Sequence, residues 1–248
     1  MKILSILCAI LLVISCKNDS ETLSAQDIVD KSIAVSCNNG CDNVIIEFDF
    51  RNKKYRSERK EGSFMYERIT NDSSGITLDR LSNDGFVRFM NDSVVTLSDS
   101  LTTIYSNSVN SVHYFVQLPY LLNDPAAKKE LLGEAIIKNE PYYEIGVAFK
   151  EEGGGTDHDD TFVYWIHKES WTVDYLAYKY ATDGGGIRFR EAYNPREIKG
   201  IKFVDYNNFK PENLQVPLTD LDKHFEEGKL QLLSKIETEN VRVILPDS

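Results

Sequence analysis

Basic side chains are in short supply in this 248-residue chain, where 28 lysines and arginines face 39 aspartates and glutamates for a formal net charge of −11. A surface this acidic repels phosphate backbones, which argues against nucleic acid as a partner and against electrostatic docking on anionic lipid. Catalytic signatures are missing too. No serine lies in a Gly-x-Ser-x-Gly elbow, no His-Glu-x-x-His occurs, and neither triple glycine is followed by Gly-Lys-Ser or a helix, as a phosphate loop requires. There are only four cysteines, and no second Cys or His pair stands near any of them at zinc spacing. No motif implies a cofactor, and there is neither an internal repeat nor a low-complexity segment.

What is present begins at the N-terminus. Lys2 precedes an apolar run, Ile3 to Ile14, broken only by Ser5. The run is too short to span a bilayer as a mature helix, so it reads as a secretory signal. Leu12, Val13, Ile14, Ser15 and Cys16 resemble the lipobox of bacterial lipoproteins. That resemblance implies cleavage before Cys16 and acylation of its thiol and its new amino group; an ordinary secretory signal with an incidental cysteine is the alternative. Two or three acyl chains hold a protein to a membrane stably, where one does not. The chain then divides into a signal (residues 1–15), a polar tether (16–23) and one domain (24–248). Cys37 and Cys41 remain inside that domain, in SCNNGC. In an oxidising envelope a close pair across a turn is expected to form a disulfide, with unlinked thiols the alternative.

Ser24-x-x-Asp27 starts a helix carrying Ile28, Val29 and Ile33 at helical spacing. From Asn43 the period changes to two: Val44, Ile46, Phe48 and Phe50 share one face of a strand, and five more short strands follow to Leu97. Their breaks, including Glu61-Gly62 and Asn91-Asp92, are too short for crossover helices, so the strands form an antiparallel meander. Leu101, Ile104, Tyr105, Val109, Val112, Phe115 and Val116 then mark one helical stripe, with His113 beside it as a packed or hydrogen-bonded residue. Leu118 to Leu122 follows as an apolar loop, read as a core plug in preference to an exposed lip. Further strands, a short helix from Asp220 to Glu227 with Thr219 as cap, and two last strands complete the chain.

Residues 151–194 hold both tryptophans, two of the four histidines and six of the 14 glycines, in three aromatic runs separated by turns. A tight turn pairing His167 with Thr172 and a loop pairing Tyr180 with Ile187 sort their side chains by parity. One face collects Val163, Trp165, Leu176, Tyr178, Tyr180, Ile187 and Phe189 and is expected to meet the helices. The other collects Phe162, Tyr164, Ile166, Tyr175, Lys179, Arg188 and Arg190 and is expected to face solvent. The loop from Gly153 to Asp160 gathers Asp157, His158 and Asp160, groups able to hold a divalent cation, but without the alternating register and distal carboxylate of a calcium loop. A solvated hairpin loop is the favoured reading there. His158, Asp160 and His167 as an acid/base set rest on sequence proximity alone.

The lipobox, the stretch NSVHYFVQLPYLLNDPAAKK (110–129) and the segment from Glu151 to Arg196 together resemble an uncharacterised family of bacterial envelope lipoproteins, over nearly all of the mature chain. The element order is also similar to that of the lipoprotein carriers LolA and LolB. This second resemblance implies an α+β, mostly β fold: a strongly curved antiparallel sheet, half-open as a barrel, with a lid of a few helices. On such a fold Leu101, Ile104, Tyr105, Val109, Val112, Val163, Trp165, Leu176, Tyr178 and Phe189 would form the ligand-facing wall. Three functions follow in order of preference. The first is an envelope protein anchored through Cys16, most often to the outer membrane, that binds an apolar molecule or lipid. The second is a structural or interaction protein with a solid core, docking another envelope component through its Arg188 and Arg190 face or its acidic surface. The third is a metal-dependent hydrolase built on Asp157, His158 and Asp160.

Overall fold

The computed structural model describes residues 23–38, 40–150, 160–181 and 184–245. Helix α1 (Ala25–Cys37) starts where the sequence says it should. The Ser24 hydroxyl accepts the Asp27 amide while the Asp27 carboxylate accepts the Ser24 amide, a reciprocal pair that satisfies two of the amides a helix start leaves without partners. Asn38 ends the helix in the left-handed region, which asparagine tolerates, and a disulfide joins Cys37 to Cys41 just beyond it.

The meander that follows runs β1 (Val44–Phe50), β2 (Lys53–Lys60), β3 (Ser63–Asp72), β4 (Gly75–Ser82), β5 (Gly85–Met90) and β6 (Ser93–Val95). After helix α2 (Asp99–Val116) and a 3-10 turn (Tyr120–Asn123) come β7 (Ala127–Ile137), β8 (Glu140–Phe149), β9 (Thr161–His167), β10 (Val173–Tyr180), β11 (Gly186–Ile198) and β12 (Ile201–Pro211). Helix α3 (Leu221–Glu226), β13 (Leu230–Ile236) and β14 (Glu239–Ile244) close the chain. Arg51-Asn52, Glu61-Gly62, Asn91-Asp92, Lys138-Asn139 and Lys199-Gly200 each have positive φ at both residues. Those are two-residue turns whose twist matches that of the strands they join.

The strands form two antiparallel sheets of seven, in the orders β14-β1-β2-β3-β4-β5-β6 and β13-β12-β11-β10-β9-β8-β7. Neither closes on itself, and together they make a half-open barrel with α1 and α2 on its inner side. The curved sheet is divided in two, and the last two strands, neighbours in sequence, go to different sheets. β13 pairs with β12, while β14 crosses to the free edge of β1. Buried Asp205 on β12 fastens this crossing, accepting from the Thr238 amide (3.0 Å), from Arg196 Nη2 (3.0 Å) and from Asn194 Nδ2 (2.6 Å).

Faces of the second sheet are set by one residue. Pairing of β9 with β10 starts as expected, the His167 amide donating to the Thr172 carbonyl, but a bulge between Val173 and Tyr175 then shifts the register by one. Leu176 consequently lies opposite Tyr164, and Tyr178 opposite Phe162. On the other side Tyr180 pairs with Gly186 rather than Ile187. A Cβ at Gly186 would come within 2.6 Å of the Tyr180 hydroxyl, so a side chain there would require the Tyr180 ring to move. The inner face therefore carries Phe162, Tyr164, Ile166, Leu176 and Tyr178 under α1 and α2, and the outer face packs Val163, Trp165, Tyr175, Ile187 and Phe189 beneath α3. No helix among the described residues is long and apolar enough to cross a membrane.

Candidate ligand cavity

Between α2 and the inner faces of the two sheets lies a cavity of about 1640 Å³. Its roof is α2 with the loop that follows: Ile104, Val112, Tyr114, Phe115, Val116, Tyr120 and Leu121. Phe50, Phe64, Tyr66 and Leu81 line it from the first sheet, and Phe149, Phe162, Tyr178 and Tyr206 from the second. A helix presents such a roof because its stripe is not single. Val109 and His113 are fully buried, and α2 packs on β3, β4 and β5, while Tyr114 and Phe115 join the core cluster of the second sheet. Leu122 is fully buried, so the loop after α2 is in part a plug, while Tyr120 and Leu121 just before it turn to the cavity.

α2 is held to the first sheet by polar groups as well as rings. Asp79 on β4 accepts from Arg68 Nε and Nη2 (3.1 and 2.6 Å) and from Arg88 Nε and Nη2 (2.6 and 2.9 Å). Arg68 also donates to Ser108 Oγ on α2 (2.6 Å), and the Arg88 guanidinium stacks 3.5 Å from the centre of the Tyr105 ring. One turn further along, His113 packs face-on against Tyr66 and edge-on against Phe48 and Tyr55. Its Nε2 donates to the Glu67 carbonyl (3.1 Å) and its Nδ1 accepts from Gln117 (3.3 Å), so the ring is fully partnered while neutral.

Burial pushes the His113 pKa down to about 3, with the Glu67 carbonyl opposing and the Arg59 and Arg68 charges adding to the fall. The unfolded chain therefore binds a proton that the folded one refuses between that value and about 6.5. Stability from this group is complete above about 6.5 and is lost as pH falls through that window. We expect the slope of melting temperature against pH between 4 and 6.5 to be shallower in His113→Gln, whatever the variant's absolute stability; an unchanged slope would refute neutral burial.

Four arginines also line the cavity, of which Arg51 lies 5.0 Å from the Phe50 ring centre. Arg59 on β2 donates through Nε to the Cys41 carbonyl (2.7 Å) and through Nη1 to Gln117, and stacks 4.2 Å from the Tyr120 ring centre. Arg188 donates to the Tyr180 hydroxyl (2.6 Å) and to a carbonyl of its own strand. Arg190 donates through Nη2 to the Tyr178 hydroxyl (2.8 Å). Among the carboxylates that line the space, Asp42 accepts the Tyr120 hydroxyl (2.8 Å) and Asp124 the Ala126 amide (2.7 Å). Burial pushes the Tyr120 hydroxyl up to about 12, so it stays a neutral donor.

The wall read from sequence is thus redistributed. Ile104, Val112 and Tyr178 line the cavity, and Leu176 lies in the core on the same side. Leu101 and Tyr105 do not line it, the latter being engaged with Arg88, and Val109 is packed under the helix. Val163, Trp165 and Phe189 share the opposite face, and the bulge in β10 is what separates Leu176 and Tyr178 from them. The face assigned to solvent, with Phe162, Arg188 and Arg190, is the inner one. A docking surface on the two arginines therefore has no outward face. Asp160 lines the cavity, whereas His167 is at the far end of β9, capping a turn through the Glu169 and Ser170 amides, so the imagined acid/base set does not gather. Cys16, Asp157 and His158 lie outside the described residues. Among the described residues no cluster of three or more His, Cys, Asp or Glu could hold a metal.

The sequence profile of a family described as "Family of unknown function (DUF6503)" matches residues 1–238. Among solved structures the chain is similar to a LolA superfamily protein from Nitrosomonas europaea, at TM-score 0.50 and 12% identity over 92% of this chain and 96% of that one. It is also similar to a DUF1329 family protein from Desulfovibrio piger, at TM-score 0.53 and 12% identity over 90% of this chain and 95% of that one. At such identity the likeness concerns the fold alone. No curated protein matches the sequence.

Proposed function

We propose, from the premise that the chain belongs to the DUF6503 family of unknown function, that it is a lipid-anchored envelope protein holding an acyl-bearing ligand between its sheets and α2. The observation that carries this reading is the cavity itself. At about 1640 Å³ it exceeds the roughly 300–1,000 Å³ of common small-ligand pockets, and most of its wall is aromatic and aliphatic. A fold that keeps so many rings around an unfilled space forgoes the contacts a filled core would make, which suits a container better than a scaffold. The mouth agrees with this use, since Ile104 on α2 both lines the cavity and is 58% exposed. The LolA-like architecture is compatible with carriage but does not itself assign a ligand.

The anchor belongs to the same reading and rests on the lipobox-like residues ending at Cys16. It places the domain on the outer side of the inner membrane or, as the commoner destination, on the outer membrane. A single preparation tests anchor and cargo. With Cys16→Ser the chain leaves the membrane fraction, loses incorporated palmitate label, and carries one acyl-bearing molecule by native mass spectrometry. Protein that stays membrane-bound and labelled overturns the anchor. Protein that is released but empty, and that takes up no fluorescent acyl probe, overturns the container.

A further inference from the structure

Arg190 is the least compensated buried charge in the cavity wall. It is 7% exposed, and of its three guanidinium nitrogens only Nη2 has a hydrogen-bond partner; Nε and Nη1 have none. Among the described residues no carboxylate forms an ion pair with it, although buried Asp79 and Asp205 elsewhere in the molecule gather two and one arginine respectively. Rings hold it in place instead. Its Cζ is 3.8 Å from the centre of Phe115 on α2, 5.1 Å from Tyr178 and 5.8 Å from Tyr206, so roof and both neighbouring strands fix the plane of the fork. A buried cation with two unpartnered nitrogens is costly to a fold unless an anion meets it, and a rigid guanidinium matches the two oxygens of a carboxylate or phosphate.

We propose that Arg190 is the headgroup subsite of the cavity, so that the ligand is an acidic amphiphile, carboxylate or phosphate, bound with its head at the Arg190 guanidinium and its chain along the aromatic wall. Phe115 reaches the subsite from α2, and a bound head therefore ties the lid helix to the second sheet. This rests on the container reading above and adds the polarity and orientation of what the container holds.

The test compares matched probes on the Cys16→Ser protein stripped of endogenous lipid: palmitate, methyl palmitate, hexadecyl phosphate and inorganic phosphate, measured by displacement of a neutral fluorescent acyl probe. Wild-type protein binds palmitate and hexadecyl phosphate at least about tenfold more tightly than the ester. Inorganic phosphate does not compete, which separates an amphiphile from a free anion. In Arg190→Gln that preference falls to near unity; Arg190→Lys restores it in part, and Arg242→Gln, which removes an exposed charge on β14 outside the cavity, retains it. Equal wild-type affinity for acid and ester overturns the subsite even if no variant folds, as does a preference that survives Arg190→Gln. Failure of every acyl probe to bind rejects the container instead.

Discussion

Replacing Phe189 by alanine is expected to lower stability by about 3–5 kcal/mol while leaving acyl affinity in the folded protein within twofold of wild type. The ring is fully buried and central to the outer core, with ring centres at 5.6 Å (Trp165), 5.8 Å (Tyr175), 5.0 Å (Phe225) and 6.5 Å (Phe209). Its removal opens a void that cannot collapse, because three of those partners stand on paired strands and the fourth fixes α3. The cavity lies on the other side of the same strand, where Arg188 and Arg190 point. Denaturant unfolding paired with probe displacement at a temperature where the variant remains folded separates the two effects. A large loss of affinity with little loss of stability would put Phe189 back on the ligand wall and would contradict the bulge in β10.

Asp79→Ala is expected to cost a comparable amount, about 3–5 kcal/mol, by a different route. Burial alone would raise the Asp79 carboxyl, but the hydrogen bonds from Arg88 and Arg68 outweigh it and hold the group below the usual carboxylate range. Deleting the anion leaves two guanidinium groups side by side, one of them buried, with nothing between them. Those arginines are also the link to Ser108 and Tyr105, so the loss extends to the seat of α2. Hydrogen exchange should show faster opening of the α2 amides than of β8 and β9, which Asp79 does not touch. Replacing all three charged groups by apolar residues of similar size is expected to recover most of the loss, since an isolated buried charge is the source of the penalty. Uniform opening of the molecule would refute a local anchoring role.

Much of the framework was legible because its signals are local. Ser24 and Asp27 specify their capping box within four residues, and the alternation of Val44, Ile46 and Phe48 puts all three in the core at any register that buries one of them. The two-residue turns announce themselves by residue type. The site was less legible because its geometry depends on a single inserted residue. Asp174 sits in the bulge after Trp171, whose φ of 58° no composition rule would have indicated, and that one step exchanged the inner and outer faces of β10 relative to β9. The inward position of Arg190 was hidden for a different reason, since alternating arginine and phenylalanine on a strand ordinarily means arginine in water. A faint signal existed in the inner-face tyrosines, whose hydroxyls give buried arginines somewhere to donate. The pairing of β14 with β1 was invisible for another reason, since it joins the two ends of the domain and nothing between them records it.

That pairing sets the order in which the domain can be completed as it is made. β1 is among the first strands synthesised, yet one of its edges stays unpaired until β14 is available, nearly 200 residues later. Until then the first sheet presents an open row of amides and carbonyls, the kind of edge that recruits other chains. The Asp205 contacts to Thr238 form only as that last strand arrives, so they double as a latch on the finished molecule. A chain ending before β14, at Thr238, would thus keep nearly all of its cavity wall and lose the protection of its earliest strand, and its failure would be one of aggregation during biogenesis rather than of binding.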